Sequence, residues 1–474
     1  MNNSFNIKVM LRKFLSFSIG NWLGLLVALF STPVVTRLLH PNDFGIYSMY
    51  TVLLNLFLIV CMLGTDQSFV RFFYDQNEKG RIKLLRNCLI LSCAGLAVVA
   101  LLIMIFPNYL SKHLFGILDS HLIVLLVLGV FISIINRFVL LIIRMQQKGA
   151  LYSMLQVAVK ILDLCLLLSI IALNFNLRLY IAPILSLFIA NILITIIGLI
   201  YTKNYWFSKI NYSQKELGFK AIMKYGIPLS LTLVITWVFQ FIDRFFIKEW
   251  STLLELGLYA AAFKIISILN IIQQSFTTFW VPVSLEKFKN DSENTDFFKR
   301  IFELVSAVMI LVAVVTIMFK KAIILLLGEE YAEASSIFPF LIFIPIMYTI
   351  SEVTVVGITF YKKTNWHIVI SLLVCVFNII GNIMLVPYLG AKGAAIATGV
   401  SYILFFYLRT FISNKYFKPK YAINKISMYI LLLVLYATYS TFIEWSILDT
   451  IFGILIILLM FIKERKLFVS FIKK

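Results

Sequence analysis

Apolar stretches of about twenty residues, parted by short charged ones, recur along the whole chain. Each approaches the ~20 helical residues needed to cross a hydrocarbon core. Spans are expected near residues 14–36, 44–68, 87–106, 121–143, 151–173, 179–201, 221–242, 256–280, 302–319, 336–360, 366–386, 393–412, 426–443 and 447–462. Lys8, Arg12 and Lys13 precede the first stretch as they would a secretory signal. It is too long for one, further spans follow at once, and no small-residue cleavage pattern surrounds Ser31-Thr32-Pro33. The pattern predicts an all-α polytopic membrane protein of about fourteen transmembrane helices.

Phe44-Gly45-Ile46-Tyr47 opens the second span behind Thr36-Arg37, and Leu256-Gly257-Leu258-Tyr259 opens the eighth behind Asp243-Arg244. An even number of spans separates the copies, so both enter the membrane in the same direction, as parallel repeats do. The expected organisation is an N-terminal lobe over residues 1–201, a linker over 202–220, a C-terminal lobe over 221–415, and two added spans with a basic tail over 416–474. Within the linker, Trp206, Phe207, Tyr212 and Leu217 alternate with charges, which suits either an amphipathic segment on the inner leaflet or a solvated loop.

Composition agrees with the pattern: 61% of residues are hydrophobic and 14% charged, where a globular chain carries about a quarter charged. The net charge of +20 would suggest a nucleic-acid partner in a soluble protein. Here most Lys and Arg fall in the loops on the termini's side, whereas the acids divide evenly. That bias describes cytoplasmic termini in a bacterial inner membrane, so the charge reports topology and no nucleic acid is expected. The five cysteines lie in or beside spans without a CxxC pair and read as small packing residues. Four scattered histidines give no metal site, and no cofactor is expected.

Every loop is short, and no catalytic constellation or phosphate-cradling loop is present. This weighs against a membrane glycosyltransferase or polymerase. Chemistry is instead expected inside the spans, where an ionisable group costs about 3 kcal/mol or more unless it faces protein or water. Six groups lie at depth: Asp66, Arg137, Lys160, Asp163, Lys264 and Glu352. Ser153, Gln156, Lys160 and Asp163 form one helical stripe; Ser133, Arg137 and Arg144 form another, and Lys264, Ser267 and Gln274 a third. Ser48, Thr51, Asn55 and Asp66, then Thr236, Gln240 and Asp243, then Tyr348, Glu352 and Thr359, extend the pattern to three more spans. These faces are expected to line one wet cavity between the lobes. Lys160 and Asp163 also stand one turn apart and have neutralisation as an alternative role. Arg144 falls at the inner mouth, where snorkelling is an alternative, and Asp66 near the inner boundary, where capping is. The cations make a ladder through the membrane for a passenger with an anionic head, since guanidinium grips phosphate oxygens in pairs and Lys acts as a mobile charge.

The chain resembles the polysaccharide (O-antigen type) flippases of the multidrug/oligosaccharidyl-lipid/polysaccharide exporter superfamily. The resemblance rests on Asn21-Trp22-Leu23-Gly24, on Pro33-Val34-Val35-Thr36-Arg37-Leu38-Leu39 with Phe44-Gly45-Ile46-Tyr47, and on Tyr225-Gly226-Ile227-Pro228-Leu229. Asp243-Arg244-Phe245-Phe246-Ile247 with Leu256-Gly257-Leu258-Tyr259, and Gly390-Ala391-Lys392-Gly393-Ala394-Ala395, complete it. It implies two six-helix lobes that alternate access and move an undecaprenyl-diphosphate-linked oligosaccharide to the outer leaflet, driven by protons, sodium or membrane potential. Arg137, Lys160, Lys264 and Arg144 are the expected substrate contacts, and Asp163, Asp66 or Glu352 the coupling site. Expected partners are the lipid-linked anionic glycan, membrane lipids, and polysaccharide polymerase or assembly proteins, around a monomeric flippase that is not an enzyme. The rival readings are an ion-coupled multidrug or cation exporter of the same superfamily, a peptidoglycan-precursor flippase, and, more remotely, the glycosyltransferase or polymerase.

Overall fold

A computed structural model describes residues 23, 24, 26–173, 178–208, 218–291, 295–443 and 446–472. Asn21-Trp22, the first span's opening with its basic lead, linker residues Tyr212 and Leu217, and the Thr236 side chain fall outside that description. The described residues form helices and one 3₁₀ turn, with no strand. In chain order the helices are α1 (Leu26–Leu38), α2 (Pro41–Met62), α3 (Thr65–Phe72), α4 (Glu78–Met104), α5 (Pro107–Phe115), α6 (Ser120–Met145), α7 (Gly149–Ala172) and α8 (Ile181–Tyr201). Then come α9 (Lys203–Phe207), α10 (Phe219–Trp250), α11 (Leu253–Asn290), α12 (Thr295–Met318), α13 (Lys320–Leu325), α14 (Ala334–Leu341), α15 (Phe343–Thr354) and α16 (Val356–Phe360). Last are α17 (Asn365–Ser413), α18 (Ile423–Phe442) and α19 (Ile447–Ile472).

By length and hydropathy, 11 of the described helical segments can cross a membrane. One of them, α17, holds both the eleventh and twelfth expected spans, divided where Gly390 takes φ 54°. A side chain there would strike the Glu255 carboxylate, and the reversal leaves the Ala391 N–H to donate to Glu255 at 2.6 Å. The first expected span ends in α1, and the fourteenth lies in α19. Large apolar side chains such as Leu101, Phe131 and Leu373 stand exposed, as they do when lipid rather than water is the solvent. The protein is an integral membrane protein.

The chain divides into two compact units, residues 1–35 with 46–241, and residues 36–45 with 242–474. In the first unit, α6 packs on α4 and α8, and α7 on α8. Phe69, Phe73 and Phe138 meet edge to face at the centre of an apolar cluster with Leu85, Cys88 and Ile134. The opening turns of α10 belong here: Ser68 donates to the Ile222 carbonyl at 2.7 Å, and Phe72 packs on Tyr225. In the second unit, α17 packs on α14 and α15, α11 on α14 and α15, and α12 on α15, α18 and α19. The short segment 36–45 is drawn in by Tyr331, whose hydroxyl donates to the Leu39 carbonyl at 2.8 Å. The repeated glycines explain themselves here. A Cβ on Gly257 would lie 1.8 Å from the Pro41 carbonyl oxygen, and one on Gly45 would lie 3.0 Å from the Gly257 nitrogen. Each copy of the motif is small so that the two backbones can touch.

Asp119 ties the first unit together at the start of α6. Its carboxylate caps the helix through the His121 N–H at 3.1 Å and accepts from the Tyr180 hydroxyl, ahead of α8, at 2.7 Å. His121 Nδ1 lies 2.9 Å and Arg178 3.5 Å away. Burial alone would raise this carboxyl's pKa, but the donors from Tyr180 and His121 outweigh it and hold it below its ordinary value. Asp119→Ala is therefore expected to lower stability by about 1–3 kcal/mol, read as an earlier thermal unfolding of the detergent-solubilised protein. Because the folded pKa is depressed, this stabilisation is present above the unfolded value of about 3.9 and fades as pH falls through the folded one. Equal unfolding midpoints at neutral pH would refute the tie.

Candidate functional site

Among the described residues, three clusters of polar groups within the helices hold the acids singled out at depth or their counterparts, one in the first unit and two in the second. In the first, Arg137 on α6 puts Nη2 3.0 Å from the Asp66 carboxylate, which is buried at the start of α3. Gln67 donates to the same carboxylate at 2.9 Å. The break between α2 and α3, at Leu63 and Gly64 with positive φ, turns Asp66 to face α6. The Arg137 side chain is 45% exposed, so one edge of its fork is held while the rest is accessible. Lys160, itself exposed, donates to the Gly24 carbonyl at 2.9 Å, and Asp163 accepts from Ser186 on α8 at 2.6 Å. Arg144 is exposed in the last turn of α6. Arg137 and Lys160 thus belong to the first unit, whereas Lys264 belongs to the second, where its ammonium lies 5.6 Å from the centre of the Phe44 ring.

The second cluster joins α15 to α17. Glu352 accepts from Arg409 Nη2 at 2.7 Å, and Arg409 Nη1 donates to Ser351 Oγ at 2.6 Å. Both charged groups are almost wholly buried, and the guanidinium lies 4.9 Å from the Phe405 ring centre. Arg409, inside the twelfth expected span, was not singled out from the sequence; its position near the end of an apolar run disguised it.

The third cluster is the most enclosed. Asp243, 1% exposed, accepts four hydrogen bonds from neutral groups. Asn378 and Asn382 of α17 donate to Oδ1 at 3.2 and 2.8 Å, and Tyr259 and Thr398 to Oδ2 at 2.8 and 2.6 Å. Arg244, next in sequence, lies over the Phe263 ring at 4.9 Å. Asn382 Oδ1 is buried with no hydrogen-bond partner among the described residues. Asp66 and Glu352 each accept from a guanidinium, whereas the four groups that ring Asp243 and donate to it are amides and hydroxyls, with the buried Arg244 guanidinium lying over the aromatic face of one of them, Tyr259. Such a ring supplies the oxygen ligands that a hard cation takes, because the carboxylate and the hydroxyls offer oxygen and either carboxamide presents oxygen on rotation. Among the described residues no group of three or more His, Cys, Asp or Glu gathers. In the sequence Asp243 lies on a polar face of the seventh span, with no acid beside it to mark a cation site. Two asparagines one turn apart within an apolar span, Asn378 and Asn382, were the available signal.

Among solved structures the chain is similar to an inward closed lipid II flippase MurJ, with TM-score 0.72 and 16% identity over 95% of this chain and 99% of that one. It is also similar to an inward-facing multidrug resistance MATE family transporter of the MOP superfamily, with TM-score 0.62 and 13% identity over 88% and 99%. Among sequences, an uncharacterized membrane protein of Haemophilus influenzae is 26% identical over 78% of this chain and 86% of its own length. One of Methanocaldococcus jannaschii is 21% identical over 82% of each. These likenesses show the fold: it is that of the flippase MurJ and of the MATE transporter. The profile of the family described as "Polysaccharide biosynthesis protein" matches residues 10–288, more than half of the chain, and the protein belongs to that family.

Proposed function

We propose that the protein is a flippase that carries an undecaprenyl-diphosphate-linked oligosaccharide, the repeat unit of a surface polysaccharide, from the cytoplasmic to the outer leaflet by alternating access. The observation that carries this reading is membership of the polysaccharide biosynthesis family on a flippase-like fold. The chain's own chemistry supports it. Arg144 at the end of α6 and the open edge of Arg137 suit a diphosphate, and Lys160 and Lys264 add mobile positive charge farther along the path. The distribution of Lys and Arg among the loops supports cytoplasmic termini in a bacterial inner membrane. The flippase works as a monomer beside the polymerase and assembly proteins that consume its product. The coupling ion sits at Asp243, with Asn378, Asn382, Thr398 and Tyr259 around it.

The likeness to a lipid II flippase favours a second reading, in which the passenger is a peptidoglycan precursor. Deletion of the gene separates the two. Under the proposal the strain lives, loses surface polysaccharide and accumulates lipid-linked oligosaccharide on the cytoplasmic side. Loss of viability with accumulated peptidoglycan precursor would select the second reading, and altered drug susceptibility alone would select an exporter. In the complemented strain, Arg137→Ala is expected to lower polymer display about tenfold at normal expression, equivalent to one charge-assisted contact of about 1.4 kcal/mol. Unchanged display would remove Arg137 from the substrate path.

A further inference from the structure

A cavity of about 550 Å³ lies in the second unit, where α12, α18 and α19 end or begin. Lys320 and Lys321 at the start of α13 line it, with Lys392 just past the α17 reversal, Thr441 and Ser440 at the end of α18, and Glu333 opposite. With Lys320 matched by Asp449, two lysines, Lys321 and Lys392, share its wall with one acid, Glu333. Lys320 is 2% exposed and donates to both the hydroxyl and the carbonyl of Ser440, with the Asp449 carboxylate 3.5 Å away. Two oxygens there, Thr441 Oγ1 and Asp449 Oδ1, are buried without a hydrogen-bond partner among the described residues. A buried ion pair at that separation, with orphaned oxygens beside it, is poor reason for stability. Lys321, exposed, and Lys392, half-buried, also line the cavity, with Thr441 beside them. Apolar side chains border it as well: Phe319, Leu325, Leu326, Phe442 and Ile447 stand exposed at these helix ends, beside the polar Glu333, Ser335 and Ser336 of its wall.

Cations and a hydroxyl in a pocket bordered in part by apolar side chains match a ligand with an anionic head and hydrocarbon chains. We propose that this pocket is a lipid-phosphate site, in which Lys321 and Lys392 pair with the phosphate oxygens and the Thr441 hydroxyl donates to one of them. Lys320, neutralised by Asp449, forms its floor, and the acyl or prenyl chains lie along the exposed faces of α12, α18 and α19. Two lipids present that head: an anionic phospholipid such as phosphatidylglycerol, and a polyprenyl diphosphate. The site lies within the second unit alone, and its existence does not rest on the flippase reading.

Native mass spectrometry of the purified full chain, delipidated and titrated with defined lipids, tests it without reference to transport. Phosphatidylglycerol or undecaprenyl diphosphate is expected to be retained at least tenfold more tightly than zwitterionic phosphatidylethanolamine. The double variant K321A/K392A is expected to erase that preference, and Thr441→Val to weaken it severalfold. Both variants leave Lys320 and Asp449 untouched, and their thermal unfolding relative to the parent checks the fold. Tighter retention of undecaprenyl diphosphate than of phosphatidylglycerol identifies the carrier lipid as occupant, and the reverse or equal retention identifies a phospholipid. An anion preference that survives K321A/K392A, or no preference in the parent, overturns the site.

Discussion

Asp243→Asn is expected to fold, insert and yet lose gradient-driven transport. The substitution keeps the shape of the side chain: the new amide oxygen still accepts from Asn378 and Asn382, and its NH2 donates to the Tyr259 and Thr398 hydroxyls, which rotate to accept. It removes the one negative charge in the ring and with it the attraction for a cation. One ion moved with the passenger through 100 mV carries about 2.3 kcal/mol, equivalent to roughly 50-fold in the ratio of passenger across the membrane. Net flipping in proteoliposomes with an imposed potential and inward sodium gradient is therefore expected to fall about 50-fold or more. Asn382→Leu, which deletes the orphaned amide oxygen, is expected to raise the sodium concentration needed for half-maximal transport without abolishing it. Replacing sodium by choline is expected to depress the parent and leave Asp243→Asn unaltered. If choline has no effect and a pH gradient drives the parent instead, the ring holds a proton. Parent-level transport by Asp243→Asn would end the coupling role altogether.

The spans were legible in the sequence because the bilayer imposes a length and an apolar content that nothing else in a chain imitates. Where helices break was less so. The tenth expected span, 336–360, is one span-length segment over α14 and α15 followed by α16, loosened at Ile342 and Val355, where no glycine stands and both residues keep right-handed helical dihedrals. The eighth runs on past its apolar end to Asn290, since a helix already formed continues through Glu286 and Lys287 into water. The glycines of the repeat were readable as a pattern but not as a reason, because their contact joins Pro41 to Gly257 across most of the first unit's sequence.

Partnerships of charges were the least legible. Helical spacing offered Asp163 to Lys160, yet Lys160 reaches the Gly24 carbonyl and Asp163 bonds Ser186. Arg137 had no acid one turn away, and its partner Asp66 comes from another helix. Asp243 draws on residues of α11 and α17. Periodicity arranges neighbours along one helix, whereas these sites are made where several helices meet. What a single sequence does expose is expense: a carboxylate or two amides inside an apolar run must have a partner, even when the partner is out of sight.

The Glu352–Arg409 pair puts that expense to the test, because Glu352 is also a coupling candidate from the sequence. Arg409→Ala strands a carboxylate that is 6% exposed and is expected to destabilise the protein by about 3–5 kcal/mol, an effect visible as lost expression or a much earlier unfolding. Removing both charges, as Glu352→Gln with Arg409→Met, is expected to recover most of that loss. A desolvated pair gains little over apolar packing of similar volume, and Phe405 and Tyr348 already offer methionine two ring faces. Flipping by the double variant then separates the roles. Recovered stability with recovered transport makes the pair a structural clasp between α15 and α17, leaving Asp243 as the charge that couples. Recovered stability without transport would return Glu352 to the mechanism, and an unaltered unfolding midpoint in Arg409→Ala would mean that the pair is not formed at all.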